Sequence, residues 1–549
     1  MSLFTHPFHR SAVYGTRGMV ATSQPLAVAA GLRILERGGN AADAAVATAA
    51  ALNVTEPTST GIGGDAFALY YEAATGEVTA LNASGRSPEA LTLSLLEREG
   101  LIGDNGRIKD PLHAHTVTVP GACAGWCDLI ERHGNRSIAE VLEPAISLAE
   151  CGFPVAPITA HAWARGVADQ LRKTRHGQEL TIEGRAPVAG EIFRNPGLAR
   201  TLRTVAEGGR QSFYEGAIAE AMVAEQNAAG GVLSLSDLAD HRSTWDHPIS
   251  TTYRGHRIWE CPPNGQGLAV LLALNLLEGI DLAALPPLSP ERLHWMIEAM
   301  RLGFADTRWF TADPSFSKVP LAELLSKAYA AERRSRMDPF KATLDQRHGS
   351  PVAGSDTVYL AVVDETGNAC SFINSNYMGF GTGIVPAGWG FTLQNRGHNF
   401  FCDPAHPNAL YPGKRPYHTI IPGLITRDRK DGTHDLCGPF GVMGGFMQPQ
   451  GHVQVVVGLL DDQRNPQEAL DHPRFCLPNG ESGDPVALEE GTPSDTVEAL
   501  AALGHSVELV GGERRSLFGR GQVILRDPDS RVLCGGSDPR ADGCAMPRG

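Results

Sequence analysis

No two of the ten cysteines stand at the C-x-x-C spacing of zinc or redox sites. Cys123 and Cys127 are four apart, a spacing that puts both on one face of a helix, where buried thiols are the expected reading. Reduced cysteines without a structural disulfide are expected. No H-E-x-x-H occurs, and His398, His406, His418 and His434 are scattered, so the pattern of a metal hydrolase is missing. Basic charge is short as well: 47 Lys and Arg against 61 Asp and Glu give a net charge of −14. That balance argues against a nucleic-acid partner. The most apolar run, Leu268 to Leu277, already contains Asn275 and is too short to span a membrane, so it reads as a buried helix. The opening Met1-Ser2-Leu3-Phe4-Thr5-His6-Pro7 has neither an apolar core nor a small-residue cleavage site. A cytoplasmic protein is expected, although a chain trimmed of a leader reads the same way. Gly61-Ile62-Gly63-Gly64 lacks the G-x-G-x-x-G spacing and a following acidic residue, which weakens a dinucleotide reading.

Glycine (62) and proline (37) are plentiful in the 549 residues, with 42% apolar and 20% charged residues. This is the composition of a turn-rich globular protein, long enough to bury a core without staples. Ser23 is placed to cap a helix with Pro25 in its first turn, ending near Gly38-Gly39. Asn40 is placed to cap a second, with Asp43 near its positive end and a small-residue face through Ala50. Phe67 to Glu72 and Glu77 to Leu81 read as a hairpin turned at Ala74-Thr75-Gly76. From about 110 to 340 the pattern is mainly helical. The polar, turn-rich stretch Asp345 to Ser355 reads as a connector. Beyond it Val358 to Val363 is β-rich, Asp364 to Asn368 turns, Ala369 to Ile373 is β-rich again, and a helix is expected near Thr496–Leu503. Helices on both sides of strands suggest a layered α/β protein.

The junction Ser355-Asp356-Thr357-Val358 carries the most chemistry. A threonine opens a buried strand directly after a polar connector. Cutting the Asp356–Thr357 bond would give Thr357 a free α-amine beside its hydroxyl. That amine, with an ordinary pKa of about 7.7–8.0, is a general base near neutral pH. The hydroxyl alone is a weak nucleophile and needs such a partner. Taken alone, a threonine at a strand start is an ordinary β-former. In Phe440-Gly441-Val442-Met443-Gly444-Gly445-Phe446, adjacent glycines let backbone N–H groups approach an oxyanion, although a plain turn also explains a lone Gly-Gly.

Several stretches in order supply the context. They are Asn53-Val54-Thr55-Glu56-Pro57 through Gly64, Thr118-Val119-Pro120-Gly121, Glu298-Ala299-Met300 with Ala305-Asp306, Phe380 to Val385, Lys414-Arg415-Pro416, and Ser537-Asp538-Pro539-Arg540 with Asp542-Gly543. Together, from about residue 17 to 545, they resemble the gamma-glutamyltransferase family of N-terminal-nucleophile hydrolases. The resemblance implies an αββα four-layer sandwich and self-cleavage before Thr357. The products would be residues 1–356 and 357–549, intertwined in one globular unit as a heterodimer, with a dimer of these left open. Thr357 would be the nucleophile, Gly444 and Gly445 the oxyanion donors, and Ser375 the supporting hydroxyl, where the family has threonine. No cofactor, metal, nucleic acid or membrane is called for, and calcium or another structural ion is left open.

The acyl pocket departs from the family pattern. The arginine for the glutamyl carboxylate falls on Ser84, with Arg86 two residues on as either its substitute or a surface residue. The paired serines fall on His418 and Thr419. On the α-amino side stand Tyr377, Arg396 and Asn399, in place of an asparagine, a glutamine and an acid. Replacing the acid and adding a guanidinium disfavours a substrate ammonium; Arg396 pairing with an acid such as Asp403 is the plain alternative, and even then the ammonium site is missing. The expectation is therefore an amide hydrolase for a small anionic acyl group without the glutamyl amine, such as a dicarboxylic monoamide. A segment from Cys402 to Gly413 shorter than the family's lid favours hydrolysis over transfer. Genuine gamma-glutamyl transfer or glutathione hydrolysis is the alternative. A third reading is an uncut, silent binding protein, because Val358 and Tyr359 stand where the family usually continues Thr-Thr-His.

Denaturing mass spectrometry separates the third reading from the others. The 58.5 kDa chain should appear as two fragments, the smaller beginning at Thr357, and Thr357→Ala should remain whole.

Overall fold

Two seven-stranded antiparallel sheets lie face to face, with helices on both outer surfaces. The structure is a computed structural model describing residues 10–346 and 356–549, with the backbone alone for Asp356. All but the first two residues of the expected connector Asp345–Ser355 lie outside the described residues. The first sheet runs Cys544–Pro547, Gly18–Thr22, Asp356–Asp364, Ala369–Tyr377, Asp65–Glu72, Glu77–Ala83 and Thr244–Asp246. The second runs Val13–Gly15, Leu533–Ser537, Arg520–Arg526, His434–Met443, Gly423–Asp428, His256–Glu260 and Ile249–Tyr253.

Period-two alternation puts the sheets together. Tyr359, Ala361 and Val363 of the central strand enter the layer between the sheets, with Phe67, Ile373, Leu424, Met443 and Ile524. Val358, Leu360 and Val362 turn instead to the helices Pro25–Glu36, Ala41–Thr55 and Ala122–His133. Tyr359 is buried with its hydroxyl 2.8 Å from Ser371 Oγ, so the residues that depart from the family's usual sequence serve the core. Helices Gly267–Leu277, Pro290–Phe310 and Met447–Leu460 cover the second sheet. The layer order is thus helix, sheet, sheet, helix. Among the described residues no helix is long and apolar enough to cross a membrane.

The expected hairpin forms with Glu72 opposite Glu77. Asn40 caps Ala41–Thr55, and Asp43 returns the bond to the Asn40 N–H. Every residue of that alanine-rich helix is buried. Ser23 does not cap the preceding helix. Gln24 occupies that position without a side-chain cap, and the Ser23 hydroxyl donates to Glu56. Glu56 is a buried carboxylate, and its demand for donors, met also by Arg520 at 3.0 Å, outweighs a cap.

Both sheets are built from strands that lie before and after residue 356. Asp356–Asp364 is bonded to Gly18–Thr22 on one side and to Ala369–Tyr377 on the other, and the latter pairs with Asp65–Glu72. Between the sheets Gly441 lies against the Tyr359 ring, where a Cβ would come within 2.6 Å of a ring carbon. Gly441→Ala should therefore overpack the interface by about 1–3 kcal/mol, read as a lower midpoint in thermal or urea unfolding.

Candidate active site

Thr357 sits at a register shift. Asp356 is opposite Tyr377 and Val358 opposite Asn374, so Thr357 alone faces both Ser375 and Asn376. Such bulges re-aim side chains. The Thr357 side chain is buried, with Oγ1 3.1 Å from Ser375 Oγ and 3.5 Å from Gln448 Nε2. Ser375 Oγ also accepts from the Tyr377 N–H at 2.9 Å. Tyr377 holds φ +82°, a strained conformation for a bulky residue, of the kind that gathers at functional sites.

Gly444 and Gly445 join the strand His434–Met443 to the helix Met447–Leu460, with φ of +131° and +59° that glycine adopts freely. Their carbonyls accept from Met447 and Gln448 N–H. Their own N–H groups make no hydrogen bond among the described residues. Two free donors beside the N-terminus of a fourteen-residue helix suit a developing anionic oxygen.

Arg396 is fully buried, one hydroxyl away from Thr357. Its Nη2 donates to Ser375 Oγ at 3.1 Å and its Nη1 to Thr419 Oγ1 at 2.7 Å. Its Cζ lies 4.4 Å from the centre of the Tyr377 ring, and the Tyr377 hydroxyl donates to Asn399 Oδ1 at 2.7 Å. Nε of Arg396 and Nδ2 of Asn399 have no hydrogen-bond partner among the described residues. Burial lowers the Arg396 pKa to about 10, leaving it a cation at neutral pH. Asp403 does not pair with it: that carboxylate is exposed and accepts from the Ala405 N–H.

His418 faces Asp65 instead. The Ile420 N–H donates to His418 Nδ1 at 3.3 Å, so the proton resides on Nε2, 2.9 Å from Asp65 Oδ2. Burial, reinforced by the charge of Arg396, lowers the His418 pKa to about 3. Asp65 Oδ1 takes the Gly85 N–H and Gln394 Nε2, each at 2.9 Å.

The structure thus brings Thr357, Ser375, Tyr377, Arg396, Asn399 and Thr419 into one contact chain, with His418 bonded to Asp65. Ser84 is held apart by Asn264, whose Nδ2 donates to its Oγ at 3.1 Å. The half-buried Arg86 acts electrostatically on Arg415 and His241, and no contact among the described residues brings it to Thr357.

Three residues were not visible as candidates in the sequence. Gln448 reaches Thr357 from the first turn after the glycine pair. Asp65 gathers three donors from distant segments. Gln266 clamps the site, its Nε2 donating to the carbonyls of Thr419 (2.6 Å) and Gly445 (2.8 Å) while its Oε1 accepts from the Tyr417 hydroxyl. Its only local signal is the run Pro262-Pro263-Asn264-Gly265-Gln266-Gly267, which breaks the pattern between a strand and a helix.

The gamma-glutamyltranspeptidase family model matches residues 27–548. The chain belongs to this family. It is 37% identical over 550 residues to the glutathione hydrolase-like YwrD proenzyme of Bacillus subtilis (strain 168), covering 97% of this chain and 99% of that protein. It is 34% identical over 534 residues to the acylase ACY 1 proenzyme of Pseudomonas sp. (strain V22), covering 96% and 93%. The solved cephalosporin acylase from Bacillus halodurans superposes with a TM-score of 0.91 at 45% identity, covering 99% of this chain and 98% of that one. The fold is that of the N-terminal-nucleophile hydrolases, and the protein is an amidohydrolase or acyltransferase of this family.

Buried histidines set an acid limit. Burial lowers the pKa of His398 to about 4 and of His418 and His452 to about 3. The unfolded chain takes up these protons below about pH 6.5 while the native state does not, so stability falls as pH drops below that value. For the fully buried His418 and His452 the loss approaches about 1.4 kcal/mol each per pH unit. Thermal melts should show a clearly lower midpoint at pH 5 than at pH 7.

Proposed function

We propose that the chain matures by cutting itself before Thr357 and then hydrolyses amides of a small acyl group that carries a carboxylate and no α-amine. The observation that carries this reading is the buried Arg396 guanidinium beside the nucleophile, bonded to two hydroxyls and to no acid among the described residues. A substrate carboxylate would complete its partners, with the free Nδ2 of Asn399 close by. A substrate ammonium would meet repulsion of about 4 kcal/mol at 4 Å and an effective dielectric of about 20.

In maturation Thr357 Oγ1 attacks the carbonyl carbon of Asp356. The amide becomes an ester as the proton passes to the Thr357 nitrogen, and water releases the Asp356 carboxyl. The freed amine then takes the hydroxyl proton while Oγ1 attacks the substrate carbonyl. Gly444 and Gly445 N–H receive the oxyanion, and Gln448 and Ser375 hold the hydroxyl. The Thr357 amine passes that proton to the substrate nitrogen, the substrate C–N bond breaks and its amine departs, and water hydrolyses the acyl ester. The steps need no cofactor. Fragments 1–356 and 357–549 stay together as a heterodimer because each sheet contains strands of both, bonded to one another.

Glutaryl-p-nitroanilide and gamma-glutamyl-p-nitroanilide differ only by the α-ammonium group, so the pair isolates this claim. The wild type should prefer the glutaryl donor at least tenfold in kcat/KM, about 1.4 kcal/mol. Arg396→Gln should narrow that preference, mainly through a higher KM for the glutaryl donor. Equal or greater activity on the gamma-glutamyl donor would sink the proposal in favour of genuine gamma-glutamyl chemistry.

A further inference from the structure

On the far side of the second sheet the helix Pro290–Phe310 carries His294 and Glu298 one turn apart, facing His505 from the turn before the strand Val507–Val510. One potential ligand atom from each lies within 4.8 Å of the others, and all three residues are buried. The hydrogen bonds fix the protons. His294 Nε2 lies 2.7 Å from the Asp338 carbonyl, which can only accept, so His294 Nδ1 carries a lone pair. That nitrogen is 2.8 Å from His505 Nε2, which therefore donates to it. The acceptors left over, His505 Nδ1 and Glu298 Oε1, have no hydrogen-bond partner among the described residues.

We propose that His294 Nδ1, His505 Nε2 and Glu298 bind one divalent transition-metal ion of the zinc type, with water completing a four-coordinate site. The His294 ring is already oriented as metal-bound histidines usually are, its other nitrogen donating to a carbonyl. On binding, the His505 proton moves from Nε2 to Nδ1 and none is released. The two ligand nitrogens must part to about 3.3 Å, the spacing set by tetrahedral Zn–N bonds of about 2.0–2.1 Å. Glu298 keeps its second oxygen on the Thr343 N–H, 3.1 Å away.

Arg301 narrows the choice of metal. Its Nε lies 3.5 Å from Glu298 Oε1 and its terminal nitrogens hold the carbonyls of Ser482 and Asp484. It offsets the single carboxylate, which disfavours calcium and magnesium, cations that need several oxygen ligands. Two imidazoles favour zinc, cobalt or nickel. His294 and Glu298 precede Thr357 in the chain and His505 follows it, so the ion would bridge the two products of a cut at that residue.

The purified full protein, stripped of metal, incubated with ZnCl2 and dialysed, should retain one equivalent by elemental analysis, and its Tm should rise by several degrees. CoCl2 should give the visible absorption of a four-coordinate site, and CaCl2 should produce neither effect. His505→Gln should retain no zinc, whereas replacing the exposed His247 by Gln should leave the equivalent in place. Wild-type protein that retains no zinc and shows no Tm change overturns the proposal, as does His505→Gln that retains zinc like the wild type. The wild-type arm decides the matter even if His505→Gln fails to fold.

Discussion

A guanidinium can be buried without an acid bonded to it only if other acceptors are arranged around it, and the candidate active site is organised by that requirement. Arg396 takes its acceptors from the hydroxyls of Ser375 and Thr419 and lays its face on Tyr377. Each partner is tied to another working part. Ser375 is in contact with Thr357, Thr419 is held by Gln266, and Gln266 also holds the loop with the free Gly445 N–H. Asp65 stands near enough to raise the Arg396 pKa against burial, yet spends its oxygens on His418, Gln394 and the Gly85 N–H. The charge is tolerated, and its hydrogen-bonding capacity is not exhausted.

The position of these groups follows from sheet packing. The strand Asp356–Asp364, which holds Thr357 near its start, and the strand His434–Met443, which leads into Gly444, belong to different sheets, stacked through Tyr359, Gly441 and Met443. Twist and spacing of the sheets therefore set the gap between the threonine hydroxyl and the free N–H pair. Small residues such as Gly441 allow the close approach on one side, and the all-buried alanine helix Ala41–Thr55 supports the strand Asp356–Asp364 on the other.

Local features were legible in the sequence. The Asn40 cap, the hairpin between Glu72 and Glu77, the strand after Asp356 and the glycine pair at 444–445 all depend on residues a few positions apart. A layered α/β protein could be read from helices flanking strands, but the αββα order and the roles proposed for Thr357 and Ser375 rest on ordered resemblance to a family, since spacing alone leaves Thr357 an ordinary strand residue. Contacts between distant segments stayed hidden. His418 and Asp65 are 353 positions apart, and Gln266 and Gly445 179. Ser23 was misread for the same reason: its partner, the buried Glu56, exerts a demand that no local pattern announces.

The sharing of both sheets by strands from before and after residue 356 bears on how such a site can come into being. Made separately, either portion would present open strand edges along two sheets, the kind of surface that templates aggregation. A terminus inside the central strand is therefore reachable chiefly by completing the fold first and severing it afterwards. Assembly is thus inherited from the continuous chain, and two independently synthesised halves would need to rebuild every ladder that joins a strand of one to a strand of the other.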